Sequence, residues 1–121
     1  MAAHIELGKK GEEIACEYLK KQGYKIREMN WRFGKCEVDI LAEVKGILVV
    51  VEVKTRTSDK IIDPEASVKR EKQRHLIYAA NAYLRFRNLR MEARFDIISI
   101  VITGETHQLN HFPDAFYAML R

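Results

Sequence analysis

Between Tyr24 and Thr55 the chain runs through three strand-like stretches parted only by the turn signals Gly34-Lys35 and Lys45-Gly46. Connections this short join antiparallel neighbours, so residues 24–33, 36–44 and 47–55 are expected to form a meander. The third stretch, Ile47-Leu-Val-Val-Val-Glu-Val-Lys-Thr55, is rich in the β-branched residues that suit a pleated surface. A sheet with apolar faces must bury them against other elements. Candidates stand on both sides in the sequence. Residues 4–22 put Leu7, Gly11, Ile14, Ala15, Tyr18 and Gln22 on one helical stripe, and Gly23 is placed to stop that helix. Pro64 suits the first turn of a second helix running to about Phe86, with Val68, Leu76, Ala79, Ala80, Tyr83 and Leu84 on its apolar side. Residues 57–63 read as a polar loop, 94–102 as a strand, 107–112 as a short last strand and 113–120 as a closing helix. The order α-β-β-β-α-β plus a tail predicts a mixed α/β sandwich.

The 121 residues suit one domain, 1–121, since no linker, repeat or low-complexity segment divides them. Hydrophobic residues at 47% and charged residues at 31% indicate a globular chain rather than a disordered one. The net charge of +4 permits nucleic-acid binding without requiring it. Its distribution is more informative. From Lys69 to Arg94 there are eight Lys or Arg against two acids, Glu71 and Glu92. Such a stretch is either a solvated face or a phosphate-facing one. Cys16 and Cys36 lie in no disulfide or zinc pattern and read as free thiols of a reducing compartment. The charged start lacks a signal peptide's apolar segment, and Ile47–Val51 is too short to span a bilayer, so the expected location is cytoplasmic, with no membrane partner.

The residues most suggestive of chemistry lie on adjacent strands. Strand alternation puts Glu37 and Asp39 on one face, with Val38 and Ile40 on the other. In the next strand Glu52 and Lys54 share a face, opposite Val49, Val51 and Val53. Counting back from Lys45-Gly46, Asp39 falls across from Glu52. Carboxylates brought together repel and raise each other's pKa, and a hard divalent cation relieves that repulsion. Such an ion can polarise a phosphodiester and acidify a bound water, and a neighbouring lysine can orient that water or meet developing charge. The plainer alternative is a solvated strand face with a weak surface ion pair. However, Glu52 interrupts a run where a buried strand would prefer valine. Glu12 projects just past the helical stripe, either reaching over the sheet edge towards Asp39 or standing as an ordinary surface acid. The four histidines show no zinc-ligand spacing, Gly8 and Gly11 form no phosphate loop, and Trp31 and Tyr24 read as core. Arg56 is placed either to meet a phosphate or to be solvated.

Several short motifs together resemble the YraN-like family of small bacterial proteins. Gly8-Lys-Lys-Gly11-Glu12, Ala15, Tyr18-Leu19, Gly23-Tyr24 and Asn30-Trp31-Arg32 are similar to its opening. Cys36-Glu-Val-Asp39 resembles its Gly-Glu-Ile-Asp motif, with Cys36 in the place of glycine, and Val51-Glu-Val-Lys-Thr-Arg56 its Val-Glu-Val-Lys-Thr-Arg motif. Pro64-Glu-Ala66, Lys69 and Arg94-Phe-Asp96 extend the likeness from about residue 8 to 100. That family in turn resembles Holliday-junction resolvases and the wider PD-(D/E)xK nucleases. The resemblance implies a restriction-endonuclease-like core, Mg2+ or Mn2+ held by Asp39 and Glu52, Lys54 as catalytic lysine and Glu12 as a further acid. It also implies Arg56, Lys69 and Lys72 as phosphate contacts on DNA, branched DNA included. A homodimer follows by analogy, because two strands must be cut. The alternative on the same fold is a non-catalytic nucleic-acid-binding protein, whose affinity would fall with salt.

Overall fold

The computed structural model describes residues 2–58 and 67–116. In chain order these form α1 (Ala2–Lys21), β1 (Lys25–Phe33), β2 (Cys36–Val44), β3 (Ile47–Thr57), α2 (Arg70–Phe86), β4 (Glu92–Thr103) and β5 (Thr106–Phe116). The strands make one sheet in the order β1-β2-β3-β4-β5. All neighbours are antiparallel except β3 and β4. A parallel pair cannot be closed by a tight turn, and α2 supplies the crossover between them.

The two helices cover opposite faces. On one, Leu76, Ala79, Ala80 and Tyr83 of α2 pack on Val38, Leu41, Leu48, Val50 and Phe95. On the other, Ala15 and Leu19 of α1 pack on Ile40, Ala42, Val49, Val51, Ile98 and Ile100. The central strands β3 and β4 are apolar because both their faces are covered, as expected for strands at a parallel junction. The result is a mixed α/β sandwich with the helix-flanked core expected of a restriction-endonuclease-like fold. No helix among the described residues is long and apolar enough to cross a membrane.

Turn chemistry explains the meander. Lys45 and Gly46 both have positive φ, 50° and 77°, the pairing that a twisted two-residue hairpin requires. Gly23, at φ 91°, ends α1.

Four expectations need correction. The second helix begins at Arg70, because Lys69 is extended (φ −62°, ψ 150°) and Ser67 and Val68 are not helical. The expected start at Pro64, and most of the 57–63 loop, lie outside the described residues. The chain expected to turn helical at Pro113 instead stays in β5 through Phe116, and 117–120 lie outside the described residues. Leu19, not Gln22, continues the stripe of α1, since Gln22 falls past the helix end and is exposed. Finally, Val38 and Ile40 do not share a face: Val38 belongs to the α2 side and Ile40 to the α1 side. The face changes over at Asp39, between the pairs Trp31↔Val38 and Met29↔Ile40, where β1's Asn30 has a left-handed φ of 51°.

Candidate active site

The paired register of β2 with β3 runs from Val44↔Ile47 to Ile40↔Val51 and goes no further. Asp39 and Glu52 are the next residues along, so they sit where the two strands part. Across this gap the N–H of Val53 donates to Asp39 Oδ2 at 2.8 Å. Asp39 also hydrogen-bonds the Glu52 carboxyl. Glu52 itself keeps the phase of Leu48 and Val50 and so faces α2. Lys72, in the first turn of α2, brings its Nζ to 3.9 Å from Glu52 Oε1. That is close enough for Coulomb attraction and too far for a hydrogen bond. Glu52 Oε1 is buried without any hydrogen-bond partner.

Glu12 reaches this corner from α1. Gly11 makes that possible: a methyl group there would collide with the Thr55 side chain, whose Cβ would lie only 2.8 Å away. The helix therefore lies directly on the end of β3. Glu12 Oε1 accepts a hydrogen bond from Asn30 Nδ2 at 2.9 Å, and its charge acts on both Asp39 and Glu52.

The electrostatics follow from crowding and burial. Loss of hydration pushes the Asp39 carboxyl up to about 8, and the charges of Glu52 and Glu12 add to the rise. The Val53 N–H and Lys72 oppose it without cancelling it. Glu52 is also raised by burial, against the pull of Lys72, its hydrogen bond with Asp39 and Lys54. At neutral pH the folded pair therefore binds a proton that separate, solvated carboxylates would release.

Glu52 and Lys54 open onto a groove of about 240 Å³ whose other walls are Ser67, Val68, Lys69 and Lys72. The groove thus has a carboxylate floor and three lysines around it. Among the described residues, no group of three or more His, Cys, Asp or Glu side chains is arranged to hold a metal ion. The acids at this corner are a close pair with Glu12 at the margin. Glu37 is not part of it; Arg32 engages it at 3.6 Å on the surface, where such pairs contribute little. Arg56 lies two residues beyond Lys54 on β3 and is half-buried.

A second polar cluster escaped the sequence reading. Asp96 is fully buried in β4 and receives Arg94 Nε and Nη2 at 2.9 and 2.7 Å. His111 Nε2 lies 2.7 Å from it, and the Asp114 N–H donates at 3.0 Å. Tyr18 bonds the other ring nitrogen of His111, and Tyr24 accepts from Arg94. The signal was present in the sequence: an acid in the apolar run Phe95-Asp-Ile-Ile-Ser-Ile, with an arginine two residues before it. A buried charge needs such partners.

A helix-flanked mixed sheet whose central hairpin splays around paired carboxylates, with lysines on the adjacent strand and helix, defines a restriction-endonuclease-like protein with a candidate active site at Asp39, Glu52 and Lys54. Comparison with known sequences gives the family. The profile of Uncharacterised protein family UPF0102 matches residues 11–100, and the chain belongs to that YraN-like family. A UPF0102 protein of Flavobacterium johnsoniae is 50% identical over 121 residues, covering 97% of this chain and 98% of its own. One from Flavobacterium psychrophilum is 46% identical over 117 residues, with 97% and 98% covered. One from Bacteroides thetaiotaomicron is 42% identical over 120 residues, with 99% of each chain covered.

Proposed function

We propose that this protein is a divalent-metal-dependent DNA endonuclease that hydrolyses phosphodiester bonds, with branched or recombination DNA as its substrate class. The observation that carries the reading is the Asp39–Glu52 pair. Two carboxylates are held together against burial and repulsion, and one oxygen, Glu52 Oε1, is buried without a hydrogen-bond partner. Proteins rarely retain such an arrangement unless something of opposite charge uses it. Mg2+ fits this donor set, since it takes one or two carboxylates and fills its remaining positions with water and phosphate oxygens.

When bound, Mg2+ or Mn2+ would supply Lewis-acid polarisation of the phosphate and lower the pKa of a coordinated water. The remaining roles fall to the chain. Asp39 and Glu52 would hold the ion, and the Val53 N–H keeps the Asp39 carboxylate oriented. Lys54 shares the strand face of Glu52 and meets the charge that develops on the phosphate, or holds the attacking water. Lys69 and Lys72 on the groove wall, and Arg56 further along β3, receive flanking phosphates. Glu12 adds negative charge at the margin and is fixed by Asn30. Cutting both strands of a junction calls for two sites, hence a homodimer, and a cytoplasmic location belongs to the same reading.

Incubation with Mg2+ or Mn2+ and linear, single-stranded or four-way-junction DNA tests the reading. Cleavage is expected from the wild type and none from Asp39→Asn or Lys54→Ala. Equal cleavage by both variants overturns it. The lysine-rich groove wall also fits a protein that binds nucleic acid without cutting. In that case binding falls steeply with salt and no metal induces scission.

A further inference from the structure

The far end of α2 carries an exposed aromatic cluster that the proposed cleavage does not use. Phe86 is 67% and Tyr78 61% exposed, unusual values for large rings. Both lean on Phe33 at the end of β1, with ring centroids 5.4 Å from it in each case. Ala82 lies between them on the helix, one turn from each, and is small enough to leave room for the Phe33 ring. Phe33 stacks on Trp31 at 6.1 Å with an interplanar angle of 5°, and Trp31 rests edge-on against buried Tyr83 at 5.2 Å. The outer rings are thus braced from below rather than loosely attached.

The cluster continues a row of cations. Arg70, Arg74, Tyr78, Ala82 and Phe86 follow at four-residue intervals, a ridge that turns about 40° around α2 at each step. At 1.5 Å per residue the row is about 24 Å long. Its basic end adjoins Lys69 and Lys72, which wall the groove over Glu52. Arg74 and Arg85, both exposed, flank the aromatic end on α2 itself.

We infer that this row binds unpaired nucleotides of the DNA substrate, with bases stacking on Tyr78, Phe86 and Phe33 and phosphates meeting Arg70, Arg74 and Arg85. The inference rests on the nuclease reading for its substrate and adds that the strand beside the cleaved bond is single-stranded. Charge selects this occupant. Flat rings amid cations match what a single strand offers, π-faces between anionic phosphates. A second copy docked face to face would instead set like-charged fringes together, an arrangement that interfaces avoid. Duplex DNA, with its bases already stacked, has no faces to give these rings.

The test is fluorescence anisotropy in EDTA, where cutting plays no part, with labelled oligo(dT), an equally long duplex and an equally long abasic strand. Wild-type protein should prefer oligo(dT) to both others. Tyr78→Ala/Phe86→Ala should weaken oligo(dT) binding about tenfold or more and leave the abasic strand nearly unaffected. Tyr78→Phe/Phe86→Tyr, which keeps both rings, should retain the wild-type preference. Because both side chains are exposed, unchanged circular dichroism is expected of the alanine variant and checks that it folds. Oligo(dT) binding indifferent to the rings overturns the inference. So does a dimer, seen in sedimentation, that the alanine substitutions dissociate without changing DNA affinity. Ring-dependent binding in a protein that cuts nothing would sustain this inference while removing the nuclease reading. Ring-independent binding in a protein that cuts junctions would do the reverse.

Discussion

Asp39 is the residue whose charge state the fold works hardest against. Burial and two neighbouring acids lift its carboxyl to about 8, so the folded protein keeps a proton that an unfolded chain releases near pH 4. The sign of the consequence follows directly. Where the native state binds more protons than the unfolded state, stability falls as pH rises, here from about pH 4 through about pH 8. Asp39→Asn keeps the shape and removes the titration. The variant should therefore melt higher than wild type at pH 8 without divalent ions, by a few degrees, with a smaller gap at pH 5. Differential scanning calorimetry in EDTA checks this, and equal melting temperatures at pH 8 would contradict a protonated Asp39. Mg2+ should raise the wild-type melting temperature, because an ion bound only by the folded state stabilises by mass action. Glu52→Gln should lose that response.

At the scale of elements, two glycines of α1 make opposite predictions. Gly8 has open space where a side chain would stand, so Gly8→Ala should gain helix propensity and stabilise by up to about 1 kcal/mol. Gly11 lies against Thr55, and Gly11→Ala must push the helix off the end of β3 at a cost of about 1–3 kcal/mol. It should also lower any cleavage activity, because the same displacement withdraws Glu12 from Asp39 and Glu52. Urea titration of both variants measures the two signs, and destabilisation by neither would place α1 elsewhere.

What the sequence made legible divides along the same lines. Alternation and two-residue turns are local, so β1, β2, β3 and the placing of Asp39 across from Glu52, just past the last pair Ile40↔Val51, could be counted out from Lys45-Gly46. The change of face at Asp39 could not, because it coincides with a left-handed backbone at Asn30 on a different strand, which alternation within β2 does not reveal. The extension of β5 past Pro113 was hidden for a similar reason. Proline is a poor strand residue, yet here it falls in the irregular stretch between the pairs Phe95↔Phe116 and Ile97↔Phe112 and interrupts no regular pairing. The Asp96 cluster was hidden by distance, since Tyr18, His111 and Arg94 meet only after α1, β4 and β5 have packed.

For the whole molecule, Asp39 and Asp96 set opposite limbs of the pH profile, and their positions explain why. Each lies at a break in strand pairing, opposite a stretch with a left-handed residue, Asn30 for one and Asp114 for the other. Each accepts a main-chain N–H there. Asp96 differs in its company. Burial works to raise its carboxyl, but hydrogen bonds from His111, Arg94 and the Asp114 N–H outweigh that and hold it below the ordinary carboxylate value. Its contribution is therefore present above about pH 4 and is lost as pH falls below that value. Stability in EDTA should peak in the mildly acidic range, falling on the acid side as Asp96 is protonated and on the alkaline side, through about pH 8, as the unfolded chain releases the proton that folded Asp39 keeps. Asp96→Asn leaves Arg94 without its buried counter-charge and should cost about 3 kcal/mol at neutral pH, while flattening the acid limb. Mg2+ should flatten only the alkaline limb, because an ion held at the proposed site would neutralise the Asp39–Glu52 pair and leave Asp96 untouched. Melting temperatures across pH 3–9, with EDTA and with Mg2+, separate the two limbs. A Mg2+ effect on the acid side, or none on the alkaline side, would mean that the ion does not bind at the Asp39–Glu52 pair.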